Sequence, residues 1–260
     1  MVKYNARTAL CISKFKTLKV YLAGQNGHPW IKSNFFSFYR LESYHNIAKK
    51  ELEHINKYKS FILDSGAFSY MNGTNSKNVD WDNYIEQYAS FINKHSIKLF
   101  MELDIDSIVG IKEVEKLRKK LEKLTNKQVI PVWHKSRGKE YWLKLINEYN
   151  YVAIGGIVTR EIQPKEYKYF NWFIETARKE NCRVHALGFT NLKGLTNYPF
   201  YSVDSTSWLS GNRFGSVYQF DGKTLQKQSK KEGQKVIGKD VAIHNFNQWV
   251  KFQKYADLKL

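Results

Sequence analysis

The feature that most restricts what this chain can fold into is an alternation, sustained along its length, of short apolar β-type runs with amphipathic helical patterns. The apolar runs are Val20 to Gly24, Phe61 to Phe68, Lys98 to Asp106, Gln128 to His134, Tyr151 to Ile157, Arg183 to Phe189, Tyr201 to Trp208 and Phe214 to Phe220. Between the middle ones the spacing of apolar residues becomes helical. Val79 to His95 predicts one helix, and Ile111 to Thr125 another, with Ile111, Val114, Leu117, Leu121 and Leu124 on one face. Lys139 to Tyr149 predicts a third. A fourth starts at Pro164, a favoured first helical residue, and carries Tyr167, Phe170, Ile174 and Ala177 at helical spacing.

Strands alternating with helices call for parallel pairing through crossover helices. Runs such as Y-V-A-I-G-G-I are apolar throughout, as strands covered on both faces are, and eight runs favour a closed barrel over an open sheet. The expected fold is therefore α/β, a single (β/α)8 TIM-type barrel filling residues 1–260 as one domain. Regularity fails in the last quarter. Only a turn or two of helix fits between Phe189 and Tyr201, and almost nothing between Trp208 and Phe214. A final helix is expected near 240–258. Before it, near 223–239, the basic stretch K-T-L-Q-K-Q-S-K-K-E-G-Q-K reads as a mobile loop or hairpin, either solvated or in contact with phosphate.

Lys and Arg total 42 against 24 Asp and Glu, a formal charge of +18 spread over the sequence rather than held in one tail. A polyanionic partner is the natural reading of that excess, and a Lys-rich soluble surface the bland one. Aromatic residues make up 15% of the chain, which serves a core first and leaves some rings to stack on bases. Cys11 and Cys182 are the only cysteines, so neither a disulfide framework nor a cysteine-rich zinc site is expected, and a reducing compartment is. The short apolar run T-A-L-C-I is followed by Lys14, Lys16 and Lys19, and no stretch approaches the roughly 20 apolar residues of a membrane span. A cytoplasmic protein with no membrane partner is expected.

In a barrel of this type the active site lies at the C-terminal ends of the strands. The endings read Asp64-Ser65-Gly66-Ala67-Phe68, Asp104-Ile105-Asp106, Trp133-His134, Gly155-Gly156-Ile157, Leu187-Gly188-Phe189 and Asp204-Ser205-Thr206. A lone strand-end Asp serves as readily to cap the next helix. Three strands delivering Asp64, Asp104 and Asp204 to one mouth point to chemistry, because two carboxylates in one cleft are the minimum equipment for displacement at a sugar carbon. Gly155-Gly156 is either a plain tight turn or a place where a planar ligand lies against the backbone. Phe68 and Leu187 either belong to the core or cover the two faces of such a ligand. His134 and His185 raise metal-assisted hydrolysis, but the first strand offers no His-x-His pair, so no metal and no cofactor are expected. His28 and His45 fall in loops and read as incidental.

The segments F-I-L-D-S-G-A-F, F-M-E-L-D-I-D, Y-V-A-I-G-G-I, V-H-A-L-G-F and Y-S-V-D-S-T-S-W, in that order, resemble the tRNA-guanine transglycosylase superfamily. They look most like its compact phage-type branch, the DpdA-like enzymes that place 7-deazaguanines in DNA. The resemblance covers roughly residues 21–220. It implies that Asp204 is the nucleophile and Asp64 the general acid/base. It also implies that Asp104 reads the purine edge with Asp106 beside it, that Gly155 and Gly156 contact the base through the backbone, and that Phe68 and Leu187 sandwich it. Ser65 and Gly188 accompany these strand ends. His134 or Trp133 stands where the family usually has a glutamine-type contact to the base carbonyl.

The departures carry information. Family members acting on tRNA have a cysteine-rich zinc module, which two cysteines cannot form, and this moves weight toward DNA. The familiar Gly-Gly after the first Asp-Ser is Gly66-Ala67 here, which slightly narrows the pocket. The implied reaction is exchange of guanine in DNA for a 7-deazaguanine base, with Lys135, Arg137, Arg160, Arg213, Lys230 and Lys231 on the phosphates, in the host cytoplasm if the chain is phage-encoded. The same exchange on tRNA, a nucleic-acid-binding barrel without catalysis, and a sugar hydrolase using Asp64 and Asp204 are the alternatives.

Overall fold

The computed structural model describes residues 17–25, 29–71, 79–211, 215–229 and 238–260. Among these the strands are β1 (Lys19–Ala23), β2 (Tyr39–Ser43), β3 (Ser60–Asp64), β4 (Leu99–Phe100), β5 (Val132–Trp133), β6 (Tyr151–Ile154), β7 (Arg183–Ala186), β8 (Ser202–Ser205), β9 (Ser216–Phe220) and β10 (Leu225–Ser229). The α-helices of six residues or more are α1 (Trp81–Lys94), α2 (Ile111–Thr125), α3 (Gly138–Glu148), α4 (Phe170–Lys179), α5 (Leu192–Asn197) and α6 (Gly238–Lys259). The fold is α/β, and strands β1 to β8 pair in parallel wherever their register is defined. No helix among the described residues is long and apolar enough to cross a membrane.

The chain divides into two compact units, one of Met1–Phe38 with Trp133–Leu260 and one of Tyr39–Val132. In the first, β1 pairs with β8, β8 with β7 and β7 with β6. At the end of β5, Trp133 O accepts from Gly155 N at 2.9 Å. Strands β6 and β8 are buried at every position, the pattern that crossover helices on both faces produce. Helix α4 buries Phe170, Phe173, Ile174 and Ala177. The turn before it, from Pro164 to Tyr169, is 3-10 rather than α, and a capping box between Gln163 and Glu166 starts it. Helix α6 closes this unit. Its Gln253 Nε2 donates to Val20 O at 2.5 Å, and Phe246 packs with Trp30, Phe38 and Trp208 at ring separations of 5.0 to 6.0 Å.

The run from Phe214 to Phe220, expected as a barrel strand, instead enters an antiparallel hairpin of β9 with β10. The reason lies in the turn: Asp221 Oδ1 accepts from Lys223 N at 2.9 Å and Thr224 N at 2.8 Å, folding the chain straight back. Side-chain amides of α6 hold the hairpin. Asn245 accepts from Tyr218 N at 2.9 Å and donates to Ser216 O at 3.0 Å, while Gln248 accepts from Phe220 N at 3.0 Å. The basic stretch expected as a loop or hairpin thus supplies the second strand of a hairpin over 225–229, and residues 230–237 lie outside the described residues.

In the second unit β2 pairs with β3 and β3 with β4. Strand β2, Y-R-L-E-S, was not expected, because Arg40 and Glu42 break its apolar character. Both are buried, and Arg40 pairs with Glu42 and with Glu51, which also accepts from Tyr58 OH at 2.7 Å. Asp64 therefore ends the third strand and Asp204 lies on the eighth. Helix α1 starts at Asp80, whose side chain accepts from Asn83 N, and buries Ile85, Tyr88, Ala89 and Ile92. Helix α2 buries Val114, Leu117 and Leu121 as expected, whereas Leu124 is exposed and Arg118 is buried in its stead. Arg118 Nε lies 2.6 Å from Glu102 Oε2, and Glu102 Oε1 accepts from Val132 N at 2.7 Å.

Candidate functional site

In β8, S-V-D-S, alternation sends Ser202 and Asp204 to one face and Val203 to the other. The parallel register pairs His185 of β7 with Ser202, which puts the imidazole on that same face within reach of both. His185 Nε2 lies 3.2 Å from Asp204 Oδ1, and Nδ1 lies 2.6 Å from Ser202 Oγ. Ser202 Oγ is in turn 2.5 Å from Tyr151 OH on β6. Tyr21, the register partner of Asp204 on β1, meets the His185 ring edge-on at 6.1 Å. Burial, with Tyr21 nearby, pushes the Tyr151 phenol well above its ordinary range, so it stays protonated as a donor. His185 is fully buried, with each ring nitrogen within hydrogen-bond distance of a β8 side chain.

A second donor reaches Asp204 from the backbone: Gly188 N lies 2.7 Å from Oδ1. Gly188 has φ +66°, and a Cβ there would collide with Val158, so glycine lets the main chain approach the carboxylate. No described residue donates to Oδ2. Asp204 lines a cleft of about 550 Å3 together with Ile157, Val158, Tyr167, Asn191 and Thr206. That volume falls in the ordinary range of small-molecule sites, roughly 300–1,000 Å3.

His134, just past β5, has Nδ1 2.7 Å from Glu161 Oε2, and Glu161 Oε1 accepts from Ser136 N at 2.9 Å. Glu161 also lies against Gly156, whose O accepts from Ile162 N at 3.0 Å. Gly155 spends its N–H on Trp133 O. Leu187 N donates to Ile154 O at 3.0 Å. Trp133 donates Nε1–H to Gly138 O at 2.8 Å and packs on Phe173 at 4.5 Å, which leaves His134 as the polar end of this strand.

Asp64 and Ser65 close β3 in the second unit. Gly66 N donates to Asp64 Oδ2 at 3.4 Å, and Tyr84 OH donates to Ser65 O at 2.6 Å. Tyr88 OH lies 3.2 Å from Leu63 O and 3.1 Å from Met101 O, tying together the chain segments that lead to Asp64 and to Asp104. Burial first, then neighbouring phenols and Asp64, raises the Tyr84 phenol far above its ordinary range. Asp104 and Asp106 are half-buried, Asp106 opening a one-turn helix. A helix begins at Phe68, whose side chain lies outside the described part.

Of the expected phosphate contacts, Lys135 is ion-paired with Glu166 at 2.6 Å, Arg137 stands 5.8 Å from the Tyr141 ring, and Arg160 is exposed. Arg213, Lys230 and Lys231 lie outside the described residues. Within the first unit the structure brings Asp204 together with Gly188, and links His134 to Gly156 through Glu161. Sequence reasoning missed the holders His185, Ser202, Tyr151 and Glu161, as well as the cleft wall at Tyr167. The signal for the first three was available: a His and a Ser-x-Asp on apolar strands share a face once neighbouring strands are aligned. No protein-family model matches the chain, and no curated protein matches it.

Proposed function

We propose that the chain is a pentosyltransferase of the guanine transglycosylase type, replacing guanine in DNA by a 7-deazaguanine derivative through a covalent ester between Asp204 and the sugar. One observation carries the reading: Asp204 lines a cleft of about 550 Å3 with Oδ1 held by two donors and Oδ2 receiving none from the described residues. Attack at C1′ uses such a carboxylate, because one oxygen must be aimed in line with the departing base while the other is fixed. A closed (β/α)8 barrel is part of the same proposal, as is a cytoplasmic setting with DNA as partner. The +18 charge supports a polyanionic substrate.

The target guanine leaves its stack, at a cost of a few kcal/mol that base contacts offset. Asp204 Oδ2 bonds to C1′ as the C1′–N9 bond breaks, and guanine takes up the electron pair and a proton from the Asp64 carboxyl. The incoming 7-deazaguanine then gives its N9 proton to the Asp64 carboxylate and displaces Asp204 from C1′. Both acids are restored, and two inversions retain configuration without a metal or nucleotide cofactor. Asp104 with Asp106 reads the purine edge. Ser65, Phe68, His134, Gly155, Gly156, Leu187 and Gly188 surround the base.

The test is expression in cells that make deazaguanine precursors, followed by separate digestion of DNA and tRNA to nucleosides and mass spectrometry. Modified deoxynucleoside in the DNA pool is expected. Modification in tRNA alone moves the reaction to that polymer, and none in either pool overturns the reading. Asp204→Asn abolishes exchange and any denaturation-resistant protein–DNA adduct, whereas Asp64→Asn binds DNA without turnover.

A further inference from the structure

We propose that His185 is the positioning residue of Asp204, fixing Oδ1 through Nε2–H while Ser202 and Tyr151 fix the ring through Nδ1. The proposal rests on Asp204 acting as the nucleophile. An ionised carboxylate offers only acceptors, so the ring nitrogen 3.2 Å from Oδ1 is the donor. In the proposed arrangement Nε2 carries the ring's N–H and Nδ1 accepts from the Ser202 hydroxyl at 2.6 Å. Ser202 Oγ then accepts from Tyr151 OH at 2.5 Å. Every hydrogen in this buried chain points toward Asp204, and three adjacent parallel strands hold its members in register.

The consequence is unequal use of the two carboxylate oxygens. With Oδ1 anchored by His185 and Gly188, Oδ2 is the atom that bonds to C1′. Once it has done so, Oδ1 becomes the ester carbonyl and loses charge. Charge returns to it as the incoming base displaces Asp204, and the two donors then stabilise the departing carboxylate. His185 therefore acts more strongly on breakdown of the covalent intermediate than on its formation, a division of effect that a side chain merely filling space does not create.

The test compares wild type with His185→Gln, which retains an N–H directed at Asp204, and His185→Leu, which does not. Each protein is first shown to be folded by circular dichroism. Denaturing gels then follow formation and base-driven breakdown of the adduct on a guanine-containing DNA strand. His185→Leu is expected to slow breakdown at least about tenfold, with formation and DNA affinity changed far less and adduct accumulating. His185→Gln restores breakdown to within a few fold. Equal breakdown rates in wild type and His185→Leu overturn the proposal. If His185→Leu does not fold, Ser202→Ala releases the ring and is expected to give the same, smaller, slowing; breakdown at the wild-type rate there overturns it equally. Long-range 1H–15N correlation of the wild-type protein reads the tautomer without any reaction: an Nε2–H ring is expected, and an Nδ1–H ring overturns the proposal. A wild-type protein with the Nε2–H tautomer that forms no adduct with DNA or tRNA overturns the base-exchange reading instead.

Discussion

The Oε2 atom of Glu161 lies 2.7 Å from His134 Nδ1 and only 2.5 Å from where a Cβ on Gly156 would stand. The missing side chain at Gly156 thus makes room for the carboxylate that orients His134. Gly156 also has φ +78°, a backbone that other residues adopt at a cost.

Gly156→Ala is expected to destabilise the protein by about 1–3 kcal/mol, the sum of left-handed strain and displacement of Glu161. Urea denaturation measures it. Adding Glu161→Ala relieves the collision and leaves the strain, so the double variant should recover only part of the loss. Complete recovery would show that φ at this position is not constrained.

The buried pair of Arg118 with Glu102 makes a second demand. Glu102 also accepts from Val132 N, so Glu102→Leu takes a carboxylate from a buried guanidinium and an acceptor from a backbone amide. A loss of about 3–5 kcal/mol is expected for Glu102→Leu. The double change to Glu102→Leu with Arg118→Met should lose less than the single one, because the buried positive charge is removed together with the carboxylate that faces it. Chemical denaturation of the three proteins decides it.

Alkaline pH should unfold the protein through groups held protonated inside it. Burial raises the phenols of Tyr84, Tyr88 and Tyr151, and pushes the Cys182 thiol up to about 12. In an unfolded chain thiols ionise near 8.5 and phenols near 10. The folded state therefore binds more protons above those values, and its stability is complete below them and falls as pH rises toward the folded-state values. Phenolate absorbance at 295 nm from these three tyrosines should rise only as near-ultraviolet dichroism is lost; ionisation near pH 10 in the folded protein would contradict their burial.

Cations in the first unit should differ in their use on DNA. The hydrogen bond from Lys135 holds the Glu166 carboxyl below its usual range, so Lys135 must leave a partner to reach phosphate, while Arg160 is exposed. Arg160→Ala is expected to reduce the slope of log affinity against log salt by about 1, and Lys135→Ala by less. Glu166→Gln should tighten binding. An affinity indifferent to salt would remove nucleic acid as the substrate.

Much of this arrangement was legible in the sequence because it depends on local pattern. Helix α2 spans the residues that its apolar spacing predicts, and Asp64 and Asp204 each close an apolar run. Other parts depend on partners distant along the chain. Strand β2 was hidden since Arg40 and Glu42 look like surface residues until Glu51 and Tyr58 are known to surround them. The segment after Gly215 has strand character either way, and the Asp221 turn decides that it pairs with β10. His185 looked like a stray metal-type ligand, and only the register of β7 against β8 turns it into a companion of Ser202 and Asp204. Nothing local marks Glu161, because its role comes from the space above Gly156.

The second unit is one unbroken stretch, Tyr39–Val132, whereas the first is assembled from segments on either side of it and is joined through Gln253 to Val20. On the ribosome the two therefore face different timetables. The pairings inside the inserted stretch, β2 with β3 and β3 with β4, are all possible once residue 132 emerges. Strand β1 is made before any of it, yet β8, its parallel partner from Lys19 to Leu22, and Gln253 of α6, which donates to Val20 O, are made only near the end of synthesis, so that side of β1 is completed late.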